Sequence, residues 1–173
     1  MDIRKKIIRF VSMVIIVTVV VTILAYTDKN PQKTLTIVDR VHLLNEQGLE
    51  KQKVGLFKEA IDFHFQAVEI MVSYDRAVES LDKAKTYHNL ATAYHKSNNY
   101  NDAKLNYRKA LKYLREDRGF ENEHGASIIT NLGIIASKEN DPEAKATLEH
   151  AKKIYLKLTG FEKEIQIIDS YLK

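Results

Sequence analysis

The chain has 173 residues and a formal net charge of +4. It has no cysteine, which excludes a disulfide framework, a thiol nucleophile, a Cys-ligated zinc site and a lipoprotein attachment point. Two Pro, six Gly, nine Tyr and no Trp, with Ala, Leu and Lys abundant, point to an all-α fold rather than a sheet. The charge is uneven. Arg4, Lys5, Lys6 and Arg9 stand against Asp2 alone in the first 26 residues, and the remainder holds 23 basic and 22 acidic residues. The positive excess lies in the N-terminal tail and reads as a membrane-topology signal, not a nucleic-acid footprint.

Segment 1–27 comes first. Residues 10–27 form an uncharged run of 18 residues. At 1.5 Å per residue such a helix spans about 27 Å, close to the ~30 Å hydrocarbon thickness of a bilayer. Its many Val and Ile residues suit lipid, where unsatisfied backbone groups force a helix. The alternative is a cleaved signal peptide, whose apolar core is shorter and ends in a small-x-small site. Cleavage after Ala25 would put the large Ile23 where a small residue is needed. The length rules favour an uncleaved transmembrane anchor. The excess of basic residues before it places the N-terminus in the cytoplasm and the rest on the periplasmic or extracellular side. Residues 28–36, containing Asn30-Pro31, read as a linker.

From residue 37 onward an internal similarity governs the reading. Leu44-Asn-Glu-Gln-Gly48, Tyr87-His-Asn-Leu-Ala91 and Ile129-Thr-Asn-Leu-Gly133 each place Gly or Ala four residues after a large apolar side chain. Each is followed by a second motif: Ala60, His64, Ala67; Ala103, Tyr107, Ala110; Ala144, Leu148, Ala151. Small residues at 48, 91 and 133 on a first helix A are expected to meet Ala60, Ala103 and Ala144 on a second helix B, so that the pair packs closely and pairs stack.

This pattern resembles the tetratricopeptide repeat (TPR). The second repeat carries it best, with Tyr87, Leu90, Ala91, Tyr94, Tyr100, Ala103, Tyr107 and Ala110 at signature positions and Asn98-Asn99 as the inter-helix turn. The third matches at Leu132, Gly133, Ala144, Leu148 and Ala151, with Asp141 expected as N-cap and Pro142 as first helical residue. The first matches at Gly48, Phe57, Ala60 and Ala67, while Gln47 and Lys51 stand where apolar residues are usual. The period of about 42 is similar to that of kinesin-light-chain-like repeats, with extra residues at 73–81 and 118–124. The resemblance implies a right-handed superhelix of three helix-turn-helix repeats, about 41–74, 84–117 and 126–158, within 37–158. Segment 159–173 follows as a capping helix, with Phe161, Ile165, Ile168 and Leu172 on one face.

No phosphate loop, nucleophile elbow or His-Glu-x-x-His motif is present, so neither enzyme activity nor a cofactor is expected. His88 and His95 are seven apart with Thr92 between them, which does not suit a metal site, and His64 occupies a packing position. The resemblance implies a concave groove lined by helix A residues and a protein or peptide partner. By position the groove residues are Asn45 in repeat one; Lys85, His88, Asn89, Thr92 and His95 in repeat two; and Ser127, Thr130, Asn131 and Lys138 in repeat three. Asn89 and Asn131 occupy equivalent places and could hold a peptide backbone. The basic run Lys104, Arg108, Lys109, Lys112 and Arg115 reads as a solvated convex face, with anionic lipid as the other reading. The repeat surface could also self-associate as a homo-oligomer, and permanent packing as a subunit of a larger membrane or secretion complex is the rival reading.

Overall fold

Thr36 begins the repeat region with a capping box. Its hydroxyl accepts a hydrogen bond from the Asp39 N–H at 3.1 Å, and the Asp39 carboxylate accepts from the Thr36 N–H at 3.0 Å. The computed structural model describes residues 35–117 and 119–173, so the expected anchor and nearly all of the linker lie outside the described residues. Among the described residues no helix is long and apolar enough to cross a membrane. Seven α-helices and no strand are found there: α1 (Ile37–Lys53), α2 (Phe57–Ser73), α3 (Ser80–Lys96), α4 (Tyr100–Asp117), α5 (Glu123–Lys138), α6 (Ala144–Lys157) and α7 (Glu162–Tyr171).

The three A helices, α1, α3 and α5, end alike. Each finishes on a lysine, Lys53, Lys96 or Lys138, and two residues later the chain turns through a left-handed residue: Gly55 (φ 78°), Asn98 (φ 62°) or Asn140 (φ 56°). The following N–H reaches back to the carbonyl five residues earlier, Leu56 to Lys51, Asn99 to Tyr94 and Asp141 to Ala136, closing the helix end. Gly and Asn are the residues that tolerate this backbone. The third turn differs from expectation at one detail. Helix α6 starts at Ala144, so Pro142 lies in the turn. The Asp141 carboxylate caps the Glu143 N–H at 2.9 Å, which tightens the turn ahead of the helix.

Each A helix packs on its own B helix, and each B helix on the next A helix. Ala60, Ala67, Ala103, Ala110 and Ala151 are fully buried, as expected for close approach. The expected meeting of small residue with small residue is refined by the structure. A Cβ at Gly48 would collide first with the ring of His64, and one at Gly133 would lie 2.7 Å from Leu148 Cγ. The bare backbone of helix A therefore receives the large side chain four residues after each helix B alanine.

Two hydrophobic cores result. One joins repeats one and two through Val41, Met71, Tyr87, Tyr107 and Leu114. The other fills repeat three and its cap through Leu148, Ile154, Tyr155 and Ile168. Helix α5 serves both: Ile128 and Ile135 face the first core, Ile129 and Ile134 the second. Helix α7 lays Ile168, with Phe161, Ile165 and Leu172, on the second core, and Lys152 pairs with Asp169 at 2.5 Å to hold it.

Candidate functional site

Helix α1 packs against α3, but α3 and α5 hardly touch. The gap between them is a cleft of about 440 Å³. Thr92, His95, Lys96 and Asn98 form its α3 wall, and Ser127, Thr130, Asn131, Ile134 and Lys138 form its α5 wall. Tyr155 closes the floor, and Glu164, Ile167 and Tyr171 of α7 complete the far side. Six of the ten expected groove residues thus meet in one cleft: Thr92, His95, Ser127, Thr130, Asn131 and Lys138.

The chemistry of the walls is mixed. The Asn131 amide has no hydrogen-bond partner among the described residues, which leaves its donors and acceptor open to the cleft. The Thr130 hydroxyl donates to the Ala126 carbonyl at 2.8 Å, and the Thr92 hydroxyl to the His88 carbonyl at 2.9 Å. Thr92 also shares a hydrogen bond with the fully buried Tyr107 hydroxyl at 3.2 Å. The Tyr155 hydroxyl bonds to Ser127 and Thr130, and burial pushes its pKa up. Burial, with the positive charges of Lys138 and Lys96, lowers His95 to about 4, so its ring is neutral at pH 7. Lys138 donates to the Tyr100 hydroxyl at 3.2 Å and lies 5.3 Å from the centre of that ring.

The other four candidates lie elsewhere. Lys85 and His88 border a separate crevice of about 10 Å³ with His124 and Ile128, too small for a ligand side chain. Burial and the neighbouring His124 lower His88 to about 4. The Asn89 carbonyl accepts a long hydrogen bond of 3.5 Å from Gln52, while its amide has no partner among the described residues. Asn45 does not reach a groove. It is buried, its Oδ1 lies 3.0 Å from His64 Nδ1, and its Nδ2 donates to the Thr86 hydroxyl at 2.8 Å. Gln52 Nε2 lies 2.9 Å from His64 Nε2. Register places Asn45 on the helix A face, but the buried imidazole needs an acceptor and draws it inward.

Sequence reasoning missed Lys96 and the α7 side chains. Lys96 carried a signal, since Lys53, Lys96 and Lys138 recur at the repeat interval. Glu164, Ile167 and Tyr171 lie at i, i+3 and i+7, on a flank about a quarter-turn round the helix from the core stripe, and only the placement of α7 brings them to the cleft. A second cleft of about 670 Å³, lined by Glu46, Leu49, Glu50, Gln52, Lys53, Phe57 and Lys96, adjoins α1. The basic run on α4 is largely engaged: Lys104 pairs with Glu139 at 2.7 Å, Lys112 with Glu116 at 3.9 Å, and Lys109 and Arg115 lie over the rings of Tyr87 and Phe120. Among the described residues no cluster of His, Cys, Asp or Glu could hold a metal.

Stacked antiparallel helix pairs with an open inner face define a helical-repeat interaction fold. Residues 39–116 match the family described as the tetratricopeptide repeat. No curated protein matches the sequence. Among solved structures, BtubC (BKLC) from P. vanneervenii is similar with a TM-score of 0.72 at 19% identity, over 81% of this chain and 56% of that one. The present chain therefore spans little more than half of that protein's length. A TPR-like protein from Chlorobium tepidum TLS is similar with a TM-score of 0.67 at 16% identity, over 79% of this chain and 94% of that one. At such identities the likeness is one of fold.

Proposed function

We propose that this protein is a non-enzymatic interaction scaffold, tethered to a membrane by its N-terminal segment, that holds a peptide or partner helix in the cleft between α3, α5 and α7. The observation that carries this reading is the unpaired Asn131 amide opening on a cleft whose remaining walls mix hydroxyls and apolar side chains with His95, Asn98, Glu164 and two lysines. Such a mixture suits a polypeptide backbone and one or two side chains. The reading is non-enzymatic because the most buried imidazole, His64, is fully engaged with amides and offers no atom to a substrate. The repeat interval of 42 to 43 supports a kinesin-light-chain-like subtype, and the uncharged run at 10–27 supports an anchor with the repeats on the periplasmic or extracellular side.

A photocrosslinking amino acid at position 131, compared with one at position 112 on the convex face, tests the site in native membranes. A protein adduct from 131 that is absent from 112 is the expected result. Equal adducts from both positions would remove the cleft as the binding site. A reporter enzyme fused to the C-terminus tests the topology, and activity only for a cytoplasmic reporter would overturn it.

A second reading, a permanently packed subunit, is favoured by one observation. Leu43, Phe65 and Val72 on the first helix pair stay 43%, 48% and 58% exposed, whereas α7 covers the other end of the stack. A monodisperse monomer of the full chain in mild detergent would count against it.

A further inference from the structure

The two clefts share Lys96 and so form one path across the three A helices, along whose A-helix walls the unpaired charge changes from Glu46 on α1 to Lys138 on α5. At the α1 end stand the carboxylates of Glu46 and Glu50. Lys53 is tied to Glu50 at 2.6 Å, which leaves Glu46 with no partner among the described residues. Further along, at the ends of α3 and α5, Lys96 and Lys138 make no ion pair among the described residues, and Lys138 rests on Tyr100, an uncharged group. Glu164 stands on the opposite, α7 wall beside Tyr155. The field of the two lysines is felt inside the cleft, where it adds to the effect of burial in keeping the His95 ring neutral.

A lysine at a helix C-terminus is favourable in itself, through the helix dipole. That accounts for a lysine at the end of α3 or α5, but not for Glu46, the unpaired carboxylate that stands on the A-helix wall in the α1 half of the path.

We infer that the groove is read by charge and direction: it takes an extended segment with a basic side chain at Glu46 and acidic side chains between Lys96 and Lys138. This rests on the groove reading above and adds the chemistry of the occupant. Two packed helix steps would separate α1 from α5 by about 20 Å, and because α3 and α5 stand further apart than packed helices an extended chain needs at least about six residues at ~3.3 Å each. The unpaired amide of Asn131 lies along that path and can bond a backbone regardless of its side chains. Leu49 and Phe57 at one end, and Ile134, Ile167 and Tyr171 at the other, supply apolar wall for the residues between. Complementary end charges fix the orientation in which the segment lies, which a groove of uniform sign would not do.

The test uses the full chain in mild detergent and fluorescein-labelled ten-residue peptides read by anisotropy at low salt. Two bipolar probes carry two lysines at one end and two glutamates at the other, one probe for each chain direction. Uniformly acidic, uniformly basic and neutral probes of the same length are the comparison. One bipolar probe is expected to bind about tenfold tighter than any uniform probe, with each end pair contributing about threefold. Glu46→Lys and the pair Lys96→Glu with Lys138→Glu should each weaken it, and the triple variant should prefer the opposite bipolar probe. Lys112→Glu on the convex face should change nothing.

A uniformly acidic probe that binds as tightly as the bipolar one overturns the inference, and so does failure of the triple variant to reverse the preference. A neutral probe that binds equally well, and is lost on Asn131→Ala, overturns the charge reading and leaves the groove reading standing. Failure of every probe to bind overturns the inference too, and the photocrosslink at position 131 then decides the groove by itself.

Discussion

His64 shows how one side chain rearranges its neighbours. It occupies the helix B place held by Tyr107 and Leu148 in the other repeats, and like them it is buried under a helix A turn. A buried imidazole needs both nitrogens satisfied. An amide nitrogen can only donate, so Gln52 makes Nε2 the acceptor, and Asn45 Oδ1 then receives the Nδ1–H. Asn45 passes its own amide to Thr86, which donates to the Asp82 carbonyl at 2.8 Å. The chain of bonds runs in one direction and ties α2 through α1 to α3. It holds the ring neutral, and burial lowers its pKa from 6.5 to about 4. The unfolded chain therefore binds the proton first. Stability is complete above pH 6.5 and is lost as pH falls from 6.5 towards 4, by on the order of 3 kcal/mol for this residue. His88 and His95 act in the same direction. Urea unfolding followed by circular dichroism at several pH values should show this slope. In His64→Leu the slope should shrink, while stability at pH 7 falls by about 2 kcal/mol because Asn45 and Gln52 lose their partner. An unchanged slope would mean that the ring titrates alike in the folded and unfolded chain. The packing role of His64 was legible from register. Its partners were not, because Asn45 and Thr86 lie 41 residues apart and only the stacking of repeats unites them.

At the scale of helices the sequence was most informative where one residue type has one job. The interval between small residues set the A and B helices. The Asn98-Asn99 turn followed from the tolerance of Asn for left-handed backbone. Helix α7 was legible only on its apolar stripe. Its other face, Glu164, Ile167 and Tyr171, reads in isolation as an ordinary solvated surface and becomes a cleft wall only through the direction in which α7 leans. The two faces should separate in experiment. Ile168→Ala removes a fully buried side chain and should cost about 3 kcal/mol. Ile167→Ala, at a half-exposed position, should change stability by under about 0.5 kcal/mol and yet weaken the photocrosslink from position 131. Lys152→Ala should cost under about 1 kcal/mol, since the pair with Asp169 is partly solvated. Thermal unfolding of the three variants checks the order. Equal losses for Ile167→Ala and Ile168→Ala would mean that both faces of α7 are structural.

Across the whole described region the stack is not uniform, and the site lies where it changes. Repeats one and two share a core that also takes in Ile128 and Ile135 of α5, repeat three and its cap have another, and the backbones of α3 and α5 stay apart beside the cleft. Repeat proteins couple through neighbour interfaces, so a weak interface lets one part open before the other. The sequence period implied equal interfaces. The extra residues before α5 and the two-sided apolar pattern of α5 break that equality, and their effect depends on three-dimensional packing. Leu111 on α4 is half-buried and packs against both cores, so it joins them together with α5. Leu111→Ala should therefore cost about 2 kcal/mol and act mainly on the joint. In hydrogen exchange, amides of α5, α6 and α7 should lose protection while those of α1 and α3 keep theirs, and denaturant unfolding should broaden into two steps. Loss of protection spread evenly over all seven helices would instead make the stack one cooperative unit, with a cleft whose two walls cannot move independently.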